Sequence, residues 1–131
     1  MTDLVSIPNQ VKTIALVGAS ANPARPSHDV MAYLVAKGYD VIPINPGLAG
    51  DEILGQRVYA SLKEIDRPVD MVEVFRKSEV LYQIAKEAIA IQAKVLWAQL
   101  GVLDEAAAAL AQAAGLNVVM DRCPKIELEA A

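Results

Sequence analysis

The sequence predicts an α/β fold: a single Rossmann-like domain whose doubly wound, mostly parallel six-stranded sheet carries helices on both faces. Three observations lead there. Short β-branched apolar runs alternate along the chain with segments whose apolar residues recur at helical spacing. The first two runs are separated by about one helix's worth of residues, as a right-handed crossover between parallel strands requires. Finally, 131 residues of which 54% are apolar suffice for one substantial core, but not for two ordinary domains.

The elements follow in order. Thr13 to Val17 reads as the first buried strand, and Asp40 to Asn45 as the second. Between them a helix is expected from Ser27, a good cap with Asp29 in its first turn, to Gly38; Val30, Met31, Leu34 and Val35 share one of its faces. A shorter strand is expected around Arg57 to Tyr59. Ser61 and Glu64 then have capping-box spacing at the start of a brief helix that stops before Pro68. The fourth strand is Asp70 to Phe75. Ser78 is expected to cap a helix on which Val80, Leu81, Ile84, Ala85, Ala88 and Ile89 repeat at helical spacing. Lys94 to Trp97 begins the fifth strand, with Trp97 in the core. An alanine-rich helix from Asp104 to Ala114 closes at Gly115, and Asn117 to Met120 is the sixth strand.

Composition narrows the function. A net charge of -4 and few aromatic residues give no broad basic, stacking surface for nucleic acid. The amino-terminal MTDLVSIPNQVK lacks a signal pattern, and the most apolar stretch, Val80 to Leu103, is interrupted by Lys86, Glu87 and Lys94. A cytoplasmic protein without membrane attachment is expected. Cys123 is the only cysteine and His28 the only histidine, so neither an internal disulfide nor a Cys- or His-rich metal site can form.

In a doubly wound sheet, ligands sit beyond the carboxyl ends of the strands where the winding reverses. The stretch LVGASANPARPSHD lies at that place. Gly18 allows a tight turn off the first strand, and free amides at the next helix start favour an anion. Arg25 offers positive charge, Ser20 and Ser27 offer hydroxyls, and Pro23 and Pro26 stiffen the loop. The same residues also suit an ordinary strand-to-helix turn with a surface arginine. A GxGxxG fingerprint is not met, because Ser20 and Pro23 replace its second and third glycines. The second strand leaves through Asn45-Pro46-Gly47 and not through a ribose-binding carboxylate, which weighs against NAD.

Later strand ends repeat the theme. Arg76 and Lys77 follow the fourth strand, although Lys77 also suits a solvated position, and Gln99 follows the fifth with an amide that can donate and accept. Asp121, Arg122, Cys123 and Lys125 follow the last strand and can approach the same rim. His28 lies at the helix start, where the positive helix end disfavours its protonated form. No acid-base dyad is evident, so no catalytic residue is assigned.

The segments LVGAS, RPSH, VIPINP, VDMVEVFRKSE, KVLWAQLGV and VVMDRCPKIE together resemble the small stand-alone CoA-binding domain proteins, related in fold to the CoA-binding domain of the succinyl-CoA synthetase alpha subunit. The resemblance runs from about Lys12 to Glu127. It implies that CoA phosphates lie over Gly18, Ala19 and Ser20, that the nucleotide end passes Asn45 and Pro46, and that Phe75 and Arg76 line the cleft. Ser27, His28 and Gln99 are further implied contacts. Relatives often carry a basic residue after the proline of the NP segment; this chain has Gly47, so Arg25, Arg76 or Lys77 would have to reach the 3′-phosphate.

The expected function is therefore binding of CoA or acyl-CoA without catalytic apparatus, in a chain for which the resemblance allows a homodimer. The alternatives are an NAD(P)-binding oxidoreductase-like protein and a nonenzymatic dimeric interaction module. If Cys123 lies at the cleft rim, it is expected to form a mixed disulfide with the CoA thiol under oxidation.

Overall fold

Residues 10–130 are described by the computed structural model; residues 1–9, read above for a signal pattern, lie outside the described residues. In chain order the elements are β1 (Thr13–Val17), α1 (Pro26–Ala36), β2 (Asp40–Ile44), β3 (Glu52–Ile53), β4 (Gln56–Arg57), β5 (Met71–Val74), α2 (Leu81–Ala90), β6 (Val95–Ala98), α3 (Glu105–Ala113), β7 (Asn117–Val119) and α4 (Pro124–Ala130). Five strands form one parallel sheet in the order β2-β1-β5-β6-β7, and β3 and β4 form a separate antiparallel pair. The Rossmann-like α/β class holds, with five strands in the sheet where six were expected.

The missing strand has a local cause. Around Arg57 to Tyr59 the chain closes a hairpin through Leu54 and Gly55, both at positive φ, and then touches β2 at a single parallel bridge, Tyr59 with Ile44. Tyr59 N–H donates to the Pro43 carbonyl, and Asn45 N–H donates to the Tyr59 carbonyl. Pro43, on the outer edge of β2, has no N–H to extend that ladder.

Period-two alternation sends each strand's side chains to two cores. Val17, Ile42, Ile44, Val72, Val74, Leu96 and Ala98 join one apolar cluster with Leu81, Ile84, Ala85 and Ala88 of α2 and Ala107 and Ala111 of α3. Ile14, Leu16, Met71, Val95 and Trp97 join the other with Val30, Met31 and Leu34 of α1, Cys123, and the half-buried Leu128 of α4. Each fully buried aliphatic side chain contributes about 1.5–3 kcal/mol, so the alternating pattern fixes the register of every strand: a one-residue slip would turn both sets outward.

Helix starts depart from the sequence reading in three places. Asp104 is the N-cap of α3, its Oδ1 accepting from Ala106 N (2.9 Å) and Ala107 N (3.2 Å). By contrast α1 starts at Pro26, one residue early, with Arg25 as a cap lacking a side-chain bond; Ser27 lies inside the first turn and is buried. Proline needs no partner for a missing N–H, which is why it suits that position. Ser78 opens a 3-10 turn (Ser78–Val80) ahead of α2; its Oγ instead donates to Gly101 O and accepts from Leu103 N, pinning the loop after β6. Downstream of Ser61, a single 3-10 turn (Leu62–Glu64) forms, with Ser61 Oγ bonded to Glu64 Oε2 and not to a backbone amide.

Candidate functional site

Beyond the carboxyl edges of β1, β2 and β5 lies a cleft of about 730 Å³. It is walled by the loop after β1, the first turn of α1, the end of β2, the turn at Leu62 and the start of α2. Strand order explains its position: β1 leads to α1 on one side of the sheet, while β5 leads to α2 on the other, so the elements diverge there.

Gly18 sets how closely two strand ends approach. Its φ is +93°, and a Cβ added there would lie 2.3 Å from the Phe75 carbonyl oxygen and 3.1 Å from Arg76 Cδ. The glycine thus serves the approach of the segment after β5 as much as the turn itself. The loop is then braced internally: Ser20 Oγ accepts from Asn22 N (3.1 Å), Asn22 Oδ1 accepts from Ala24 N (3.0 Å), and Arg25 N donates to Asn22 O (3.0 Å).

Two amides are engaged in a way the sequence did not reveal. Gly18 N and Ala19 N both donate to the Ile44 carbonyl, at 3.0 and 3.2 Å. Asn45 completes this clasp, its Nδ2 donating to Ala19 O (2.8 Å) and its Oδ1 accepting from Gly47 N (2.9 Å). Among the described residues, the amides of Ser20 and Ser27 have no hydrogen-bond partner, and both residues line the cleft. Arg25 and Arg76 also line it, are exposed, and form no ion pair among the described residues. This side of the cleft therefore offers donors and positive charge, the complement of a phosphate.

Of the residues singled out from sequence, the cleft brings together Gly18, Ala19, Ser20, Arg25, Ser27, Asn45, Pro46, Phe75 and Arg76. His28, Lys77 and Gln99 are not among its lining residues. Gln99 is buried just after β6 and its Oε1 has no hydrogen-bond partner among the described residues, while Lys77 is exposed before the 3-10 turn and His28 is half-buried in α1. Sequence reading missed the opposite wall: Leu62 from its 3-10 turn, Val80 at the end of the 3-10 turn that leads into α2, and Gln83, Ile84 and Glu87 from α2. The last four occupy i, i+3, i+4 and i+7, one helical stripe; that spacing was the available signal, hidden because two of its members are polar.

The segment after β7 does not reach the cleft. Cys123 is 5% exposed in the α1/α4 core, so the condition set for a mixed disulfide at the rim is not met. Lys125 pairs with Asp29 at 2.8 Å, Arg122 pairs with Glu127 at 3.6 Å, and Asp121 Oδ1 accepts from Gly101 N at 2.7 Å. The Arg122 carbonyl accepts from Trp97 Nε1 at 2.8 Å.

Glu73 carries an electrostatic anomaly of its own. It sits in β5 between Leu16 of β1 and Trp97 of β6, fully buried, and among the described residues neither carboxyl oxygen has a hydrogen-bond partner. Burial pushes its pKa well above the ordinary 4.5, and the neighbouring Cys123 adds to the shift. Burial thus favours the protonated form of this side chain, which sits just behind the strand end that delivers Phe75 and Arg76.

Among the described residues, no group of three His, Cys, Asp or Glu can hold a metal ion, and no helix is long and apolar enough to cross a membrane. The family described as CoA binding domain matches residues 12–129. An uncharacterized protein, YneT, from Bacillus subtilis is 43% identical over 124 residues, covering 95% of this chain and 90% of that protein. A hypothetical protein from Pyrococcus horikoshii OT3 superposes with a TM-score of 0.94 at 38% identity, covering 99% of this chain and 92% of its own. The alpha subunit of an ADP-forming acetate–CoA ligase from Pyrococcus furiosus is 32% identical over 80 residues, 58% of this chain but 17% of that subunit.

Proposed function

The chain belongs to the CoA binding domain family, and from that premise we propose that its cleft binds coenzyme A or an acyl-CoA, with the phosphates beside the loop after β1. One observation carries the reading: Arg25 and Arg76, two arginines that form no ion pair among the described residues, flank a glycine loop in a cleft large enough for a nucleotide-sized ligand. The Ser20 and Ser27 amides add donors to the same side. Gly47 brings no charge after Pro46, so the two arginines are also the groups assigned to the ribose 3′-phosphate.

Phe75 and the apolar side chains of Leu62, Val80 and Ile84 give the rest of the ligand a surface to cover. Asn45 acts by holding the loop, since its amide oxygen and one amide hydrogen are already bonded. The protein acts as a carrier, sensor or partner module: the cleft lining supplies groups that bind, and Cys123 and His28 are not among its lining residues.

Thermal unfolding with and without CoA, together with titration calorimetry, tests the proposal. Preferential binding to the folded state must raise Tm as CoA increases, and Arg25→Ala and Arg76→Ala must weaken binding while leaving the unfolding of the free protein unchanged. An unmoved Tm and no heat at saturating CoA would overturn it.

A further inference from the structure

Resting on the CoA reading above, we propose that Gln83 and Glu87 form the base-reading end of the cleft and recognise the exocyclic amine of an adenine ring. Both residues line the cleft from the same stripe of α2 as Ile84, in line with Val80 at the cap of that helix, and Leu62 lines it from a separate element. The stripe carries the polar pair away from the arginines: Arg76 lies beside Gly18, whereas Glu87 is about 10 Å beyond Val80 along the helix axis.

The hydrogen-bond inventory at that end then selects the ligand group. Gln83 Nε2 donates to Glu87 Oε2 at 3.1 Å. This orients the Gln83 amide, leaves its Oε1 as an acceptor, and leaves the second Glu87 oxygen free to accept as well. Glu87 is half-buried and has no ion-pair partner among the described residues. An acceptor-rich, negatively charged end next to apolar Val80, Ile84 and Leu62 fits a flat ring bearing a group with two hydrogens to donate. An adenine amine has both. A carbonyl at the same ring position would set an acceptor against a carboxylate, so the site disfavours hypoxanthine by repulsion as well as by a lost bond.

The test compares CoA with its analogue carrying hypoxanthine in place of adenine, by calorimetry on the wild-type protein and on Glu87→Leu. The wild type is expected to prefer CoA by about 10- to 100-fold, the range for hydrogen bonds to a charged acceptor, and Glu87→Leu to lose most of that preference while still binding both. Equal affinity of the wild type for the two ligands overturns this inference and leaves the CoA reading standing. Failure of the wild type to bind either overturns the CoA reading and this inference with it. Should Glu87→Leu not fold, Glu87→Gln removes the charge at nearly constant shape, and a Glu87→Gln protein that keeps the full preference also overturns the inference.

Discussion

Replacing Glu73 with glutamine should change how stability depends on pH, in a direction fixed by the burial of that side chain. A carboxyl whose native pKa is raised keeps its proton where the unfolded chain has released it. Stability therefore falls as pH rises from about the ordinary 4.5 toward the raised native value, and levels off above it. Across that window the slope is one proton's worth, about 1.4 kcal/mol per pH unit. Asp70 works in the opposite sense: despite the cost of its partial burial, bonds from the Lys12 and Thr13 amides and the charge of Lys94 hold its pKa down, so its contribution is lost only as pH falls through and below the ordinary 3.8. The two windows hardly overlap. Glu73→Gln nearly preserves shape and abolishes the titration, so the variant should match the wild type most closely at and below about the ordinary 4.5 and then gain on it by about 1.4 kcal/mol per pH unit within the window. Urea unfolding at a series of pH values measures both curves. Parallel curves would refute the account of Glu73 as a buried neutral acid, because a carboxyl ionised in both states contributes no slope.

Two further substitutions probe the frame of the cleft. Gly18→Ala should destabilise by about 2–5 kcal/mol, combining 1–2 for an L residue at positive φ with 1–3 for overpacking against the Phe75 backbone. Gly38→Ala, at φ +96° with nothing within 4 Å, should cost only the conformational part, and chemical denaturation of both variants separates strain from clash. Asn45→Ala removes the bonds to Ala19 O and Gly47 N and should cost about 1–3 kcal/mol; amide hydrogen exchange should show faster opening at Gly18 and Ala19, and unchanged protection there would refute the clasp.

The sheet was legible because its strands are short β-branched runs bounded by turn residues, and their two-residue alternation had to serve cores on both faces. The third expected strand failed on a fact outside its own sequence, the missing N–H of Pro43 on the neighbouring edge. Ser27 and Ser78 have the residue type of caps, but a proline one position earlier and a loop 23 residues later changed what each does. At the site, nine expected residues converge because parallel strands deliver their carboxyl ends to one edge. Gln83 and Glu87 escaped notice since the rotation of a helix about its axis depends on what it packs against. The burial of Glu73 depends on Leu16 and Trp97 in the strands on either side of it, neighbours that its own strand does not specify.

The loop after β1 divides its work differently from an open cradle of amides. Gly18 N and Ala19 N converge on one carbonyl of β2, and Asn45 returns a bond to Ala19 O, so the loop is held to the second strand by the protein's own bonds. Among the described residues, Ser20 N and Ser27 N, which follow Gly18 and Ala19 in the chain, have no hydrogen-bond partner and lie on cleft-lining residues. Charge for an anion has to come from side chains, and Arg76 is positioned for this by the same close approach that excludes any Cβ at Gly18. The glycine thereby couples the backbone of β1 to the cation that follows β5: widening that contact would move Arg76 and Phe75 together, altering the charge and the apolar wall of the cleft in one step.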